Sequence, residues 1–250
     1  MKIEIRPEKA FRVLLTVIFC LTVGDIVALW LKFGLDHDYV FGLVPLFDFN
    51  EEMNIPTFFS SVILLTAAML LACIAEAHRR QSGRFAAWYG LAAIFLFLAI
   101  DENAGIHELF QAPASRLVDA SGLFFHAWII PYVAVLAILL PIYGRFMAAL
   151  PHRTMVLFGI AGAIFVAGAV GFEAIGGSYL EQHGPNVGYH ILTTIEEGME
   201  MFGISLFVYA LLAYMETELP TLSVAVGGSK ISLRPVAPVE PLLPAAHLKN

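Results

Sequence analysis

Six runs of about twenty apolar residues constrain this chain more than anything else in it. They cover roughly residues 11–33, 57–77, 85–110, 123–146, 155–180 and 189–214. At 1.5 Å per residue each is long enough to cross a hydrocarbon layer as a helix. A segment in lipid must satisfy its own backbone polar groups, so runs of this kind predict helices and not strands. The expected fold is therefore all-α, a polytopic membrane bundle of six transmembrane helices. Composition agrees: 59% of the residues are hydrophobic and 14% charged, where soluble domains carry about a quarter charged. The first run has a basic start like a signal sequence. Its apolar stretch continues to Trp30 and Phe33 with no small-x-small site after it, so it reads as a retained helix.

Basic residues set the expected orientation. Lys2, Arg6, Lys9, Arg12, Arg79, Arg80, Arg84, Arg145, Arg153, Lys230, Arg234 and Lys249 fall at the N-terminus, in the second and fourth loops, or in the tail. The other side holds Lys32 and Arg116. By the positive-inside rule both termini are cytoplasmic, in a bacterial inner membrane. Residues 1–215 read as one six-helix membrane domain. Residues 216–250, with Pro220, Pro235, Pro238, Pro241 and Pro244, read as a Pro-rich cytoplasmic tail. The net charge of -7 argues against nucleic acid as a partner. Cys20 and Cys73 lie in different expected helices and read as small buried hydrophobes, not as a disulfide. The loop 34–56, rich in aromatic and acidic residues, is expected to lie in the membrane interface as a lid.

The chemistry-bearing signal is a set of acids inside these spans. An unpaired carboxylate in hydrocarbon costs several kcal/mol. Measured from the outer helix ends, Asp101 falls about 13 Å deep, Glu197 about 12 Å, Asp25 about 12 Å and Glu173 about 10 Å, with Glu200 a few Å beyond Glu197. Asp101 and Glu108 are seven apart on one helical face. The Glu197–Glu200 and Glu196–Glu200 spacings place two carboxyls on one side of a helix. Recurring small residues in the fifth run (Gly159, Gly162, Ala169, Gly171, Gly176, Gly177) would let helices approach closely around Glu173. These positions predict a polar site built from Asp101, Glu173, Glu197 and Glu200, with Asp25, Glu102, His107, Glu108, His190 and Glu196 secondary or at its mouth. The bland alternative for Glu102, His107, Glu108 and His190 is solvation by the headgroup region. For Asp25 it is a hydrogen bond to a neighbouring helix, and for His126 an interfacial or structural role.

Acids gathered at one depth suit ion coordination better than a proton relay, which strings acids across the membrane. An oxygen-dominated ligand set suits a divalent ion such as Fe, Mn, Zn or Ca. Known patterns are missing. No Glu-x-x-His pair of the di-iron bundles occurs, nor does a Gly-x-Ser-x-Gly elbow or a His-Glu-x-x-His zinc motif. Histidines never fall three or four apart, which excludes histidine boxes.

Three segments carry a resemblance: Asn54-Ile55-Pro56-Thr57-Phe58-Phe59-Ser60-Ser61, then Asp101-Glu102 with Ile106-His107-Glu108, and Glu196-Glu197 through Glu200-Met201-Phe202-Gly203. In these the chain resembles a group of uncharacterised bacterial six-span integral membrane proteins. The resemblance covers most of the membrane part and not the tail, and it implies architecture and emphasis but no chemistry. Two functions are expected. The first is an outward-facing intramembrane carboxylate and histidine site, metal-binding, acting on a lipid-soluble substrate. The alternative is a non-catalytic accessory subunit of a larger respiratory or photosynthetic membrane complex. Membrane lipids, and a homo-oligomer or larger complex, are the expected partners.

Overall fold

The computed structural model describes residues 6–81 and 83–219; the expected Pro-rich tail, from its fifth residue onward, lies outside the described residues. All regular structure among the described residues is helical. Helix α1 (Pro7–Leu29) ends in a π-helical turn, Trp30–Gly34, and the following loop holds a short α2 (Leu43–Phe47). Then come α3 (Ile55–Arg80), α4 (Ala86–Ala104), the one-turn α5 (Gln111–Ala114), α6 (Ile129–Met147), α7 (His152–Val166), α8 (Glu173–His183) and α9 (Val187–Glu218). A π-helical stretch, Ala167–Phe172, joins α7 to α8 in one continuous span. Six helices are long and apolar enough to cross a membrane, as expected from the sequence.

Helix starts follow local chemistry. Asn54 caps α3 by accepting from the Thr57 N–H at 3.1 Å, with Pro56 in the first turn. Asn186 caps α9 by accepting from the N–H groups of Gly188 and Tyr189. The third span ends at Ala104, not near Phe110. Gly105 adopts a left-handed φ of +56° and its N–H donates to the Asp101 carbonyl, which terminates the helix. A separate 3₁₀ turn, His107–Phe110, follows. Asp101 and Glu108 are therefore not on one continuous helix face.

Helix α9 is the axis of the bundle and packs against α1, α3, α7 and α8, while α3 and α4 form the closest pair. Alanines on α3 and α4 (Ala67, Ala75, Ala92, Ala99) allow that approach, and the Ser61 hydroxyl donates to the Ala99 carbonyl across it at 2.7 Å. One core lies at the end of the bundle where α3 meets α4, around Leu71, Ile74, Trp88, Phe158, Phe207 and Leu211. A second lies higher, around Leu21, Phe49, Ile63, Leu64, Met201 and Ile204. Helix α6 differs from the rest. It packs closely along none of its neighbours, and Ile138 and Leu140, off its cavity-lining side, are exposed. The space between α6 and the bundle is the cavity described next.

The loop 35–54 is a folded cover. Phe47 packs on Gly24 of α1, where an added Cβ would stand 2.7 Å from the ring. Asp48 and Phe49 are buried. Phe41 and Met53, both at positive φ, point outward together with Tyr39. Such an apolar rim at a helix end suits the membrane interface.

Candidate functional site

A cavity of about 1050 Å³ opens between α4, α6, the α7–α8 span and α9. Its walls repeat one helical spacing. Helix α4 supplies Ala93, Ile94, Phe97, Leu98, Asp101 and Glu102. Helix α6 supplies Pro131, Tyr132, Val135, Leu136 and Leu139. The fifth span gives Phe165, Val166, Ala169, Val170 and Glu173, and α9 gives Tyr189, Thr193, Glu196, Glu197 and Glu200. Steps of one and three residues, with a single step of four on α9, keep each set on a single face. The polar residues come from the end of each span near the cover and the apolar ones from deeper in the bilayer. The cavity is thus acidic at one end and oily at the other.

The expected primary residues Asp101, Glu173, Glu197 and Glu200 all line this cavity, as do Glu102, His107, Glu108 and Glu196. Asp25 and His190 are not among its lining residues. They belong to a network that pins the cover. Asp25 accepts from the Phe49 N–H at 2.9 Å and the Thr194 hydroxyl at 2.7 Å. Asp48 accepts from Lys32 Nζ at 2.8 Å through Oδ2 and from the Asn50 N–H at 3.0 Å through Oδ1, and His190 Nδ1 stands 3.4 Å from Oδ1. Burial works against the Asp48 charge, but the adjacent His190 and the hydrogen bonds from Lys32 and the Asn50 N–H outweigh it and hold the carboxyl down at about 2.

Deeper in the bundle the carboxyls face one another. Glu196 lies close enough to Glu173 for their carboxyls to interact directly, and Glu102, Glu197 and Glu200 line the same part of the cavity. The close approach depends on Gly168 in the π-helical stretch, where an added Cβ would stand 2.9 Å from the Glu196 carbonyl and 3.0 Å from Glu200 Cγ. π-Helical turns inside α-helices are frequent at functional sites. Of the glycines expected to matter on the fifth span, Gly177 leaves no room beside His126, whereas Gly159, Gly162 and Gly171 face open space.

At the mouth sits a second arrangement. Asp101, buried, accepts from the His107 N–H at 2.7 Å and the Tyr132 hydroxyl at 2.9 Å. His107 Nδ1 stands 3.4 Å from Asp101, its Nε2 4.0 Å from Glu52, and its ring lies 4.6 Å from that of Trp128. Burial opposes the charged imidazole, but the bond to Asp101 and the charges of Asp101 and Glu52 win, so His107 is raised above its usual 6.5. Burial and the neighbouring Glu108 push Glu52 up as well. The raised histidine gives a pH dependence of defined sign. It contributes stability in full below about 6.5, and that contribution disappears as pH rises through the raised value. Thermal stability should therefore decline as pH rises from about 6.5 through the raised value, and His107→Gln should flatten the decline. A profile equally steep in the variant would place the titrating group elsewhere.

Sequence reasoning missed Glu52, His126 and Tyr132 as cavity residues. His126 Nδ1 stands 3.5 Å from Glu173 Oε1. The grouping of acids in the loop 34–56 was the one available signal for Glu52. Nothing in the sequence marks Tyr132. No Lys or Arg lines the cavity among the described residues. Among those residues, too, no three His, Cys, Asp or Glu side chains stand close enough together to hold a metal ion as placed.

Residues 12–214 match the family described as Domain of unknown function (DUF8692), and the chain belongs to it. That stretch contains every residue lining the cavity. No curated protein and no solved structure matches the chain.

Proposed function

We propose that this member of DUF8692 is a multi-pass protein of the bacterial inner membrane, with both ends of its chain cytoplasmic, that binds a lipid-soluble molecule in its acid-ended cavity. The observation that carries the reading is the two-ended lining: carboxyls at Glu173, Glu196, Glu197 and Glu200 above, and Phe97, Leu136, Leu139 and Val166 below. A polar head has partners at one end and a hydrocarbon chain at the other. Phe97 and Val135 line the cavity and are both exposed, so the space is open at its apolar walls, which favours sideways entry from the bilayer past α6. His107 is the group best placed to move a proton at the mouth, because buried Asp101 orients its ring while its other nitrogen faces the Glu52 side. The basic residues gathered at the opposite end of the bundle support the cytoplasmic placement of the termini.

A divalent ion (Fe, Mn, Zn or Ca) on Asp101, Glu173, Glu197 and Glu200 is the second reading, favoured by the lack of Lys or Arg in the lining. It requires those side chains to move together from where they stand. One preparation tests both readings. Protein extracted with its surrounding bilayer is analysed by mass spectrometry for retained amphiphiles and by elemental analysis for metal, beside the cavity-filling variant Leu136→Trp. Retention near one molecule per protein, lost in Leu136→Trp, is the expected result. Stoichiometric metal that Glu197→Gln removes, with no retained amphiphile, would transfer the assignment to the ion.

A further inference from the structure

We propose that the ligand's head carries a net positive charge, an ammonium or comparable organic cation, on an aliphatic chain. This rests on the reading of the cavity as an amphiphile site and names the class of amphiphile. Three features beyond the cavity's shape support it. Glu196 lines the cavity yet is only 8% exposed, and the carboxyl of Glu173 stands beside it. Two such groups in a low-dielectric site are relieved by a shared proton or by positive charge, and the lining contains no Lys or Arg, its bases among the described residues being His107 and His126. The aromatic residues Trp128, Tyr132 and Tyr189 line the same end, where rings can attract a cation. Below them, Tyr132 to Leu139 spans about 10 Å along α6, room for an extended chain beside Phe97 and Val166. An anionic or zwitterionic head would instead bring a sulfate or phosphate against the carboxyls, a like-charge contact that costs binding.

The test uses the full chain in phosphatidylcholine nanodiscs and four probes that share a brominated dodecyl chain. Their heads are trimethylammonium, maltoside, phosphocholine and sulfate. Binding is read as quenching of Trp128 in a Trp30→Phe background, since Trp30 is exposed and Trp88 is buried in the core. The trimethylammonium probe should bind about tenfold or more tighter than the maltoside at equal mole fraction in the bilayer. The margin should shrink in Glu197→Gln and, at the rim, in Glu52→Gln, with unfolding temperature as the check that each variant folds. Equal binding of cation and maltoside, or phosphocholine or sulfate binding as tightly as the cation, would overturn the charge assignment and leave the amphiphile site standing. Binding by none of the four would overturn the amphiphile reading itself and this inference with it.

Discussion

Asp48→Ala should destabilise the folded protein by about 3–5 kcal/mol, the usual cost of removing one partner from a buried ion pair. The loss is large because Asp48 holds two donors at once, Lys32 at 2.8 Å and the Asn50 N–H at 3.0 Å, with His190 Nδ1 3.4 Å away. Asp48 is 1% exposed and Lys32 20%, so the abandoned ammonium stays largely out of water. Its neighbour Asn54 would also lose support, because the Asn54 amide donates to the carbonyls of Pro45, Asp48 and Glu51. The readout is hydrogen exchange over residues 43–54 together with thermal unfolding. Exchange should rise there far more than in α3 or α9. Unchanged exchange in the cover would show that the apolar packing of Phe47 and Phe49 holds it without the ion pair.

Gly203→Leu should prevent α7 and α9 from meeting. A Cβ at Gly203 would lie 2.8 Å from the Phe165 backbone N and 3.0 Å from the Ala161 carbonyl, and backbone cannot swing aside as a side chain can. Gly203→Ala already forces the helices apart, and its cost should be about 1–3 kcal/mol, the range for an overfilled core. Gly203→Leu exceeds that and should give no monodisperse folded protein. Gly162, on the facing helix α7, has open space at its Cβ position, so Gly162→Ala should be close to neutral. Equal tolerance at both positions would contradict the close α7–α9 contact.

Much of this architecture is legible in the sequence because a bilayer leaves so few choices. Length and hydropathy alone gave six helices, and Asn54 with Pro56 marked the start of α3 correctly. The convergence of Asp101, Glu173, Glu197 and Glu200 on one cavity followed from counting residues along helices from a common level. The misplacements come from breaks in that counting. Gly105 stops α4, so the drift from Asp101 to Glu108 could not be treated as one helix. Residues 123–128 precede α6 instead of starting it, which moves His126 off the helix and against Glu173. Asp25 sits at nearly the same depth as the other acids, but depth carries no azimuth. It faces α9 and the cover through Thr194 and Phe49 instead of facing the cavity. Tyr132 was invisible because it acts through a contact between α6 and α4, residues that are distant in the chain.

The central claim is that an amphiphile occupies the space between α6 and the bundle, head toward the carboxyls. Photolabelling with an alkyl ammonium that carries a diazirine on its chain tests it most directly, because α6 presents two distinct faces. Leu136 and Leu139 line the cavity, whereas Ile138 and Leu140 are each 63% exposed on the outside of the helix. Adducts on Leu136, Leu139 and Phe97, competed by unlabelled ammonium probe, are the predicted result. Adducts confined to Ile138 and Leu140, and insensitive to competition, would mean that the probe samples only surrounding lipid and that the cavity holds no such ligand.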